Sequence, residues 1–161
     1  NPEVWKLPFY LGFNYYFELQ NDQKAAEYIA RASRLPGAPA YLASFAAQLY
    51  VSARTPQGAI DFLGQMYSQT TDENVKRVLE QRLKEVVVER DLHVLEEALG
   101  RYRELYKRAP VRLEDLAGPG LLRELPREPF GGQYLYDPQT QSVRSSEMKE
   151  RLKMYGRRRT P

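Results

Sequence analysis

Two patterns of small, apolar and aromatic residues recur in the first half of the chain, with a period of 34 to 35 residues. One is a small residue followed three positions later by Tyr. The other is an Ala followed by apolar or small residues four and seven positions on. The members are Gly12 with Tyr15 and Ala47 with Tyr50 for the first pattern, and Ala25, Ile29, Ala32 with Ala59, Leu63, Met66 for the second. Small residues let two helices approach closely, so the repeat predicts stacked pairs of antiparallel helices.

This pattern resembles the tetratricopeptide repeat over about residues 5–70. Pro36 lies near the closing proline of that family, whereas Pro8 stands where the family often has Trp and Met66 replaces a small residue. The resemblance implies an α-solenoid in which the first helix of each repeat lines a concave groove. An antiparallel helix bundle with Ala-rich packing is the alternative. Pro8 is expected in the first turn of the first helix. Asp22 is expected to cap the second helix.

A further helical pair is predicted at about residues 72–108, where Asp72 caps a fifth helix and Asp91 caps a sixth. Each helix carries one apolar stripe, with residues three and four positions apart. The pair lacks the repeat signature and is interpreted as a divergent hairpin that closes the array. Residues 1–110 are therefore predicted to form a helical domain, and residues 111–161 a C-terminal extension.

The extension is predicted to contain two short helical turns, a β-hairpin and a terminal helix. The turns are expected at 113–116 and 121–125, the strands at 134–136 and 142–144, and the helix from Ser146 to Gly156. The fold class is thus mostly α: antiparallel helical hairpins of a tetratricopeptide-like α-solenoid, with a small C-terminal β-hairpin and a terminal helix.

The segment that leads into the hairpin is similar to the C-terminal signature of pseudopilins of type II secretion. The matching residues are Pro126, Pro129, Phe130, Gly131 and Tyr134, with Glu128 where that family has Asp. Convergence on a compact loop that covers a helix end is the alternative. The order of motifs along the whole chain also resembles that of uncharacterised tetratricopeptide proteins of bacterial envelopes. This resemblance implies an envelope location, a pilus- or secretion-related assembly and a membrane helix ahead of the repeats. The matching residues for that order are Trp5, Pro8, Phe9, Leu11, Gly12 and Phe13, together with Pro126, Pro129, Gly131, Gly132 and Tyr134.

Several kinds of chemistry are excluded by composition. The 161 residues include no Cys and one His, which excludes Cys-ligated zinc, thiol nucleophiles and multi-His metal sites. His93, the acidic pairs Glu96-Glu97 and Glu114-Asp115, and Ser145-Ser146 do not assemble into a nucleophile–base set. No apolar run is long enough to span a bilayer. The sequence therefore predicts no enzyme activity, no cofactor and no metal.

Aromatic residues are concentrated in the first predicted helix, where Trp5, Phe9, Phe13 and Phe17 follow one another at four-residue intervals. If the repeat register holds, much of this row lines a groove that binds a peptide or partner helix. The predicted groove residues are Phe9, Phe13, Tyr16, Phe17, Tyr41, Ser44, Gln48, Val51 and Ser52. The alternative is that the row packs against an earlier repeat that this chain lacks.

Positive charge is concentrated at the C-terminus, although the whole chain carries only +3. The basic tail comprises Lys149, Arg151, Lys153, Arg157, Arg158 and Arg159. It is predicted to be a docked helix with a solvated basic end, with attraction to anionic lipid headgroups or an acidic partner as the alternative. Nucleic acid is not expected, because Tyr155 is the one aromatic residue there for base stacking.

The function predicted from these features is that of an adaptor, which holds a protein or peptide partner in its aromatic groove. The setting implied by the resemblance is the bacterial cell envelope. The alternative is a structural subunit of a larger complex, with permanent interfaces on its helical faces. The chain is also expected to be part of a longer protein or a larger assembly.

Overall fold

The computed structural model of the chain describes residues 1–49 and 56–152. The predicted mostly helical fold with a small C-terminal β-hairpin is confirmed. The elements are α1 (Lys6–Phe17), α2 (Asp22–Ser33), α3 (Tyr41–Gln48), α4 (Pro56–Gln69), α5 (Glu73–Tyr106), a 3-10 helix (Leu113–Leu116), β1 (Tyr134–Asp137) and β2 (Ser142–Ser145). The described residues form two compact units, which comprise 1–83 with 151–152 and 84–150. The boundary between them lies inside α5, whereas the sequence analysis placed it at residue 110.

In the first unit, α1 packs against α2 and α2 packs against α3. Gly12 permits the first of these contacts, because a Cβ atom there would lie only 2.8 Å from the side chain of Ile29. The close approach predicted at Gly12 is therefore confirmed. Tyr15 stacks on Tyr28 beside it, with ring centroids 5.2 Å apart and an interplanar angle of 11°.

Two helix caps test the sequence analysis directly. The N-cap of α2 is Asn21, whose side-chain oxygen accepts the backbone N–H of Lys24 at 2.9 Å, so the predicted cap at Asp22 is wrong by one residue. Asp72 does cap α5, because its Oδ1 accepts the N–H groups of Asn74 at 2.9 Å and Val75 at 3.1 Å. Both caps satisfy N–H groups that have no partner within their helix.

The fifth and sixth helices predicted from the sequence are one continuous helix of 34 residues, so the predicted break at Asp91 is wrong. The apolar stripe moves to another face of α5 partway along it. Val86 and Val88 are both fully buried, although they are separated by about 200° around the helix axis. No Gly or Pro stands at this change of face, and the backbone therefore continues as a helix.

The second unit is built on the C-terminal part of α5. β1 and β2 pair antiparallel, with Tyr134 opposite Ser145. Their inward side chains join the 3-10 helix and an α5 stripe in one apolar core. Its buried members are Val88, Leu92, Leu95, Ala98, Leu99, Tyr102, Leu113, Leu116, Tyr134 and Val143.

Two predicted helical segments of the extension are not helical. Residues 121–125 lack helical structure, and Leu122 instead donates its N–H to the carbonyl of Leu116 at 3.0 Å. The terminal helix is absent from residues 147–152, and the rest of that predicted helix lies outside the described residues. Ser145, not Ser146, accepts the N–H groups of Glu147 at 2.9 Å and Met148 at 3.0 Å.

Candidate functional site

The aromatic residues predicted to line a groove from α1 are core residues. Phe9, Phe13, Tyr16 and Phe17 are all buried, with at most 4% of their surface exposed. Phe13 contacts Phe9 and Phe17 at centroid distances of 5.3 and 5.0 Å. The predicted exposed aromatic floor is therefore wrong in α1, because these rings cover one another and the neighbouring helices.

The space left beside this row is too small for a ligand side chain. A void of about 10 Å³ lies among α1, α2 and α3, next to Gly12, Ile29, Phe45 and Leu49. That volume corresponds to about one water molecule. A partner residue could enter only if the core opened.

The structure describes the other predicted groove residues only in part. Tyr41 is half-buried at the start of α3, with its hydroxyl group inside the protein. Ser44 and Gln48 belong to α3, but their side chains lie outside the described part of the structure. Val51 and Ser52 lie outside it entirely.

In the basic tail, Lys149 and Arg151 are exposed. The remaining tail residues, Lys153, Arg157, Arg158 and Arg159, lie outside the described residues.

The opposite side of α1 presents an apolar surface that the sequence analysis did not identify as a site. Val4, Leu7 and Leu11 are 45%, 70% and 37% exposed, and we call them the outer apolar row. Leu7 and Leu11 are four residues apart in α1 and therefore lie on one side of the helix, whereas Val4 lies in the turn just before it. The sequence does contain evidence for this exposed apolar surface, because α1 carries apolar residues around its whole circumference.

A cavity of about 360 Å³ lies where three segments of the first unit meet. These segments are the start of α1, the α2–α3 connection and the α4–α5 connection. We call it the polar cavity, and its lining residues include Glu3, Trp5, Lys6, Gln69, Thr71 and Asp72. Gly37 has a φ of 77° here, and a Cβ atom on it would collide with the carbonyl of Pro2.

An ion triad forms the charged side of the polar cavity. Lys6 Nζ lies 2.6 Å from Asp72 Oδ2 and 2.8 Å from Glu3 Oε1. Hydrogen bonds to Asp72 and then to Glu3 raise the pKa of the Lys6 ammonium well above its usual range. The Lys6 ammonium and the N–H of Val75 lower the pKa of the Asp72 carboxyl. The triad thus comprises two carboxyl groups, from Glu3 and Asp72, and one ammonium group, from Lys6.

The second unit contains a cluster of buried polar side chains between α5 and the β-hairpin. Tyr134 donates its hydroxyl to Asp91 Oδ2 at 2.8 Å, and Arg90 contacts Asp91 Oδ1 at 2.8 Å. Burial, followed by the hydrogen bond to Asp91, raises the pKa of the Tyr134 phenol. Asp91 thus anchors the hairpin to the middle of α5.

Glu128 is the second buried acidic residue of this cluster. Its Oε2 accepts the N–H groups of Phe130 at 2.8 Å and Gly132 at 2.9 Å, while Oε1 accepts the hydroxyl of Ser145 at 3.0 Å. The acidic residue of the pseudopilin-like segment thus fixes the loop that leads into β1. This arrangement fits a structural clamp, since each of these bonds joins two parts of the same unit.

The sequence analysis also considered His93 and several acidic residues for metal or acid–base chemistry, and the structure describes where they lie. Within 1–49 and 56–152, no three His, Asp or Glu residues are grouped so that they could hold a metal ion. His93 lies partly exposed in the middle of α5.

Among the described helices, none combines the length and apolar character needed to cross a membrane.

Comparison with known proteins gives no relative from which a role could be transferred. No protein family, no curated protein and no solved structure matches this chain. The resemblances to tetratricopeptide and pseudopilin sequences therefore stay predictions.

Proposed function

We propose that this chain is a protein-interaction module that binds its partner through the outer apolar row of α1. The observation that carries the proposal is the exposure of Leu7 and Leu11 on α1, whose other side is already buried in the core, together with the exposure of Val4 in the turn before the helix. A helix with apolar residues on all sides is typical of a buried element, so its exposed side is suited to a partner.

An amphipathic helix is the partner that best fits the spacing of the row. Leu7 and Leu11 are four residues apart on α1, a spacing found among anchor residues in helix recognition, and Val4 extends the apolar surface from the preceding turn. The backbone positions are fixed, because Gly12 and the aromatic residues behind the row are tightly packed. Such a preformed surface limits the entropy lost on binding.

We further infer that the helices of the first unit are arranged as tetratricopeptide-like hairpins. Support comes from the close α1–α2 contact at Gly12 and from the burial of Ala25, Ile29 and Ala32, which follow the repeat pattern. The bacterial envelope remains the proposed setting, and the identity of the partner would test it.

Site-specific photo-crosslinking in the organism that encodes the chain tests the proposed surface. A photoreactive amino acid is placed at Leu7 or Leu11, and at Leu105 as a control. Leu105 is a matched control because it is also an exposed leucine, 57% accessible, but belongs to the second unit. Crosslinked species are then identified by mass spectrometry.

A discrete second protein, crosslinked from Leu7 and Leu11 but not from Leu105, is the expected result. The double substitution Leu7→Glu and Leu11→Glu should abolish this complex without lowering thermal stability, because both side chains are exposed. Crosslinks from Leu7 and Leu11 to other copies of the chain, or to its own segments, would instead favour the alternative of a structural subunit with permanent interfaces. Absence of any crosslink at both positions would overturn the proposal.

A further inference from the structure

We propose that the polar cavity of the first unit is a binding site for a cationic side chain of the arginine or lysine kind. The cavity would bind a charged group, whereas the outer apolar row would bind an apolar surface. This inference therefore does not depend on whether a protein partner binds the outer apolar row. Its volume of about 360 Å³ falls at the lower end of the range for small-ligand sites.

The charges around the cavity favour a cation. Glu3 and Asp72 contribute two carboxylates, whereas Lys6 contributes one ammonium, so the triad has a net charge of −1. Asp72 Oδ1 is occupied by the N–H groups at the start of α5. Within the part of the chain that is described, Glu3 Oε2 accepts no hydrogen bond, and this oxygen remains available to a donor.

The neutral groups of the cavity are suited to the same ligand. Gln69 and Thr71 line the cavity, and in the described structure their side chains form no hydrogen bonds. The amide oxygen and the hydroxyl oxygen can both accept N–H groups. Guanidinium and ammonium groups are donors only, and a guanidinium offers five N–H groups at once. Trp5, which is 4% exposed, also lines the cavity and can contact the alkyl part of such a side chain.

Trp5 makes the proposal directly testable, because it is the one Trp in the chain and lines the cavity. Intrinsic fluorescence of the intact protein is titrated with Nα-acetyl-arginine amide and Nα-acetyl-lysine amide. The neutral Nα-acetyl-citrulline amide and the anionic Nα-acetyl-glutamate amide serve as ligand controls. A saturable change is expected with at least one of the two cationic ligands and with neither control.

Substitutions then test the role of the carboxylates. Glu3→Gln and Asp72→Asn should each weaken binding by about two- to fivefold, as expected for the loss of one solvent-accessible ion pair. Glu73→Gln is the matched control, because this neighbouring carboxylate is exposed and does not line the cavity. Asp72→Asn retains a good N-cap residue, and Glu3 is mostly exposed, so both variants should fold.

Three outcomes would overturn the inference. The first is an absence of any saturable change with both cationic ligands. The second is an equal response to citrulline or glutamate, which would show that positive charge is not recognised. The third is an equal loss of binding in Glu73→Gln, which would show that the effect depends on overall charge and not on the cavity.

Discussion

At the scale of single residues, Gly12 determines how closely α1 and α2 can pack. A Cβ atom at this position would lie 2.8 Å from Cδ1 and Cγ1 of Ile29 and 3.0 Å from the carbonyl oxygen of Ala25. Ile29 is fully buried, and the void nearby is too small to accept a displaced side chain. Any larger residue must therefore separate the two helices.

We expect Gly12→Leu to destabilise the protein by at least about 1–3 kcal/mol, because it overpacks a dense helix contact. Urea denaturation measures the change. Gly100→Ala is the matched control: it lies within α5, where a Cβ atom would meet nothing within 4 Å. Alanine there should stabilise the helix by about 0.5–1 kcal/mol. An unchanged denaturation midpoint for Gly12→Leu would refute the close approach.

The buried hydrogen bond from Tyr134 to Asp91 gives a second prediction. Tyr134→Phe leaves the carboxylate of Asp91 without that donor, and should cost about 1–3 kcal/mol of stability. Tyr67→Phe is the control, because Tyr67 is an exposed tyrosine of the first unit. Thermal denaturation of the three proteins provides the comparison. Equal stability of Tyr134→Phe and the wild type would mean that Asp91 does not anchor the hairpin.

Residue periodicity predicted which aromatic side chains share a face of α1 but not what covers that face. Phe9, Phe13 and Phe17 would show the same four-residue spacing in a groove or in a core. The outer apolar row was missed for a related reason: Leu7 and Leu11 gain significance only when the opposite face is known to be buried. Exposure depends on neighbouring helices, which local spacing does not specify.

At the scale of elements, α5 shows why boundaries inside a helical region are hard to predict. The apolar stripe that includes Val75 and Leu79 gives way to a different stripe at Val88, and such a change resembles a turn between two helices. Asp91, a good N-cap residue, strengthened that interpretation. In the structure it is the acceptor for Tyr134, a contact 43 residues away in sequence.

The β-hairpin was easier to predict, because its signals are local. Asp137 and Pro138 mark the turn, and Asp137 Oδ1 accepts the N–H of Gln139 at 2.8 Å. The terminal helix was predicted from equally local signals at Ser146. In the structure, Ser145 is tied to Glu128 and accepts the N–H groups that follow, so a tertiary contact replaces the helix.

The start of α5 leads to a pH prediction. Because the folded-state pKa of Asp72 lies below its ordinary value of 3.8, its ionised form stabilises the folded protein. This contribution is complete well above the ordinary value and is lost as the pH falls through the lowered folded-state pKa. We expect Asp72→Asn to cost at most about 1 kcal/mol at neutral pH, since the ion pair is close to solvent.

The difference in stability between wild type and Asp72→Asn should shrink when urea denaturation is repeated at about pH 2–3, where Asp72 loses its charge in the unfolded chain first. Glu73→Gln is the control substitution, because Glu73 is an exposed neighbouring carboxylate that pairs with Lys76 at the surface. A difference that stays constant with pH would contradict the assigned role of the Asp72 carboxylate.

At the scale of the whole molecule, the two compact units share α5. Residues 73–83 of this helix belong to the first unit, and residues 84–106 belong to the second. The connection between the units is therefore a hydrogen-bonded helix and not an irregular linker.

Native-state hydrogen exchange can test this continuity. The backbone amides of Leu83 and Lys84 should be protected to about the same degree as amides one turn away on either side, because all of them lie within one helical ladder. The exposed connection at Thr71 supplies a fast-exchanging reference. A local minimum of protection at Leu83 and Lys84 would show that the helix is interrupted there.

The position of this boundary also has a consequence for gene fusion. Recombination between genes joins domains most readily where the junction falls in a linker that makes few contacts. A junction at Leu83 or Lys84 would cut through α5 and leave backbone groups without partners on both sides. A gene fusion joined at this point is therefore expected to disrupt α5 in both units.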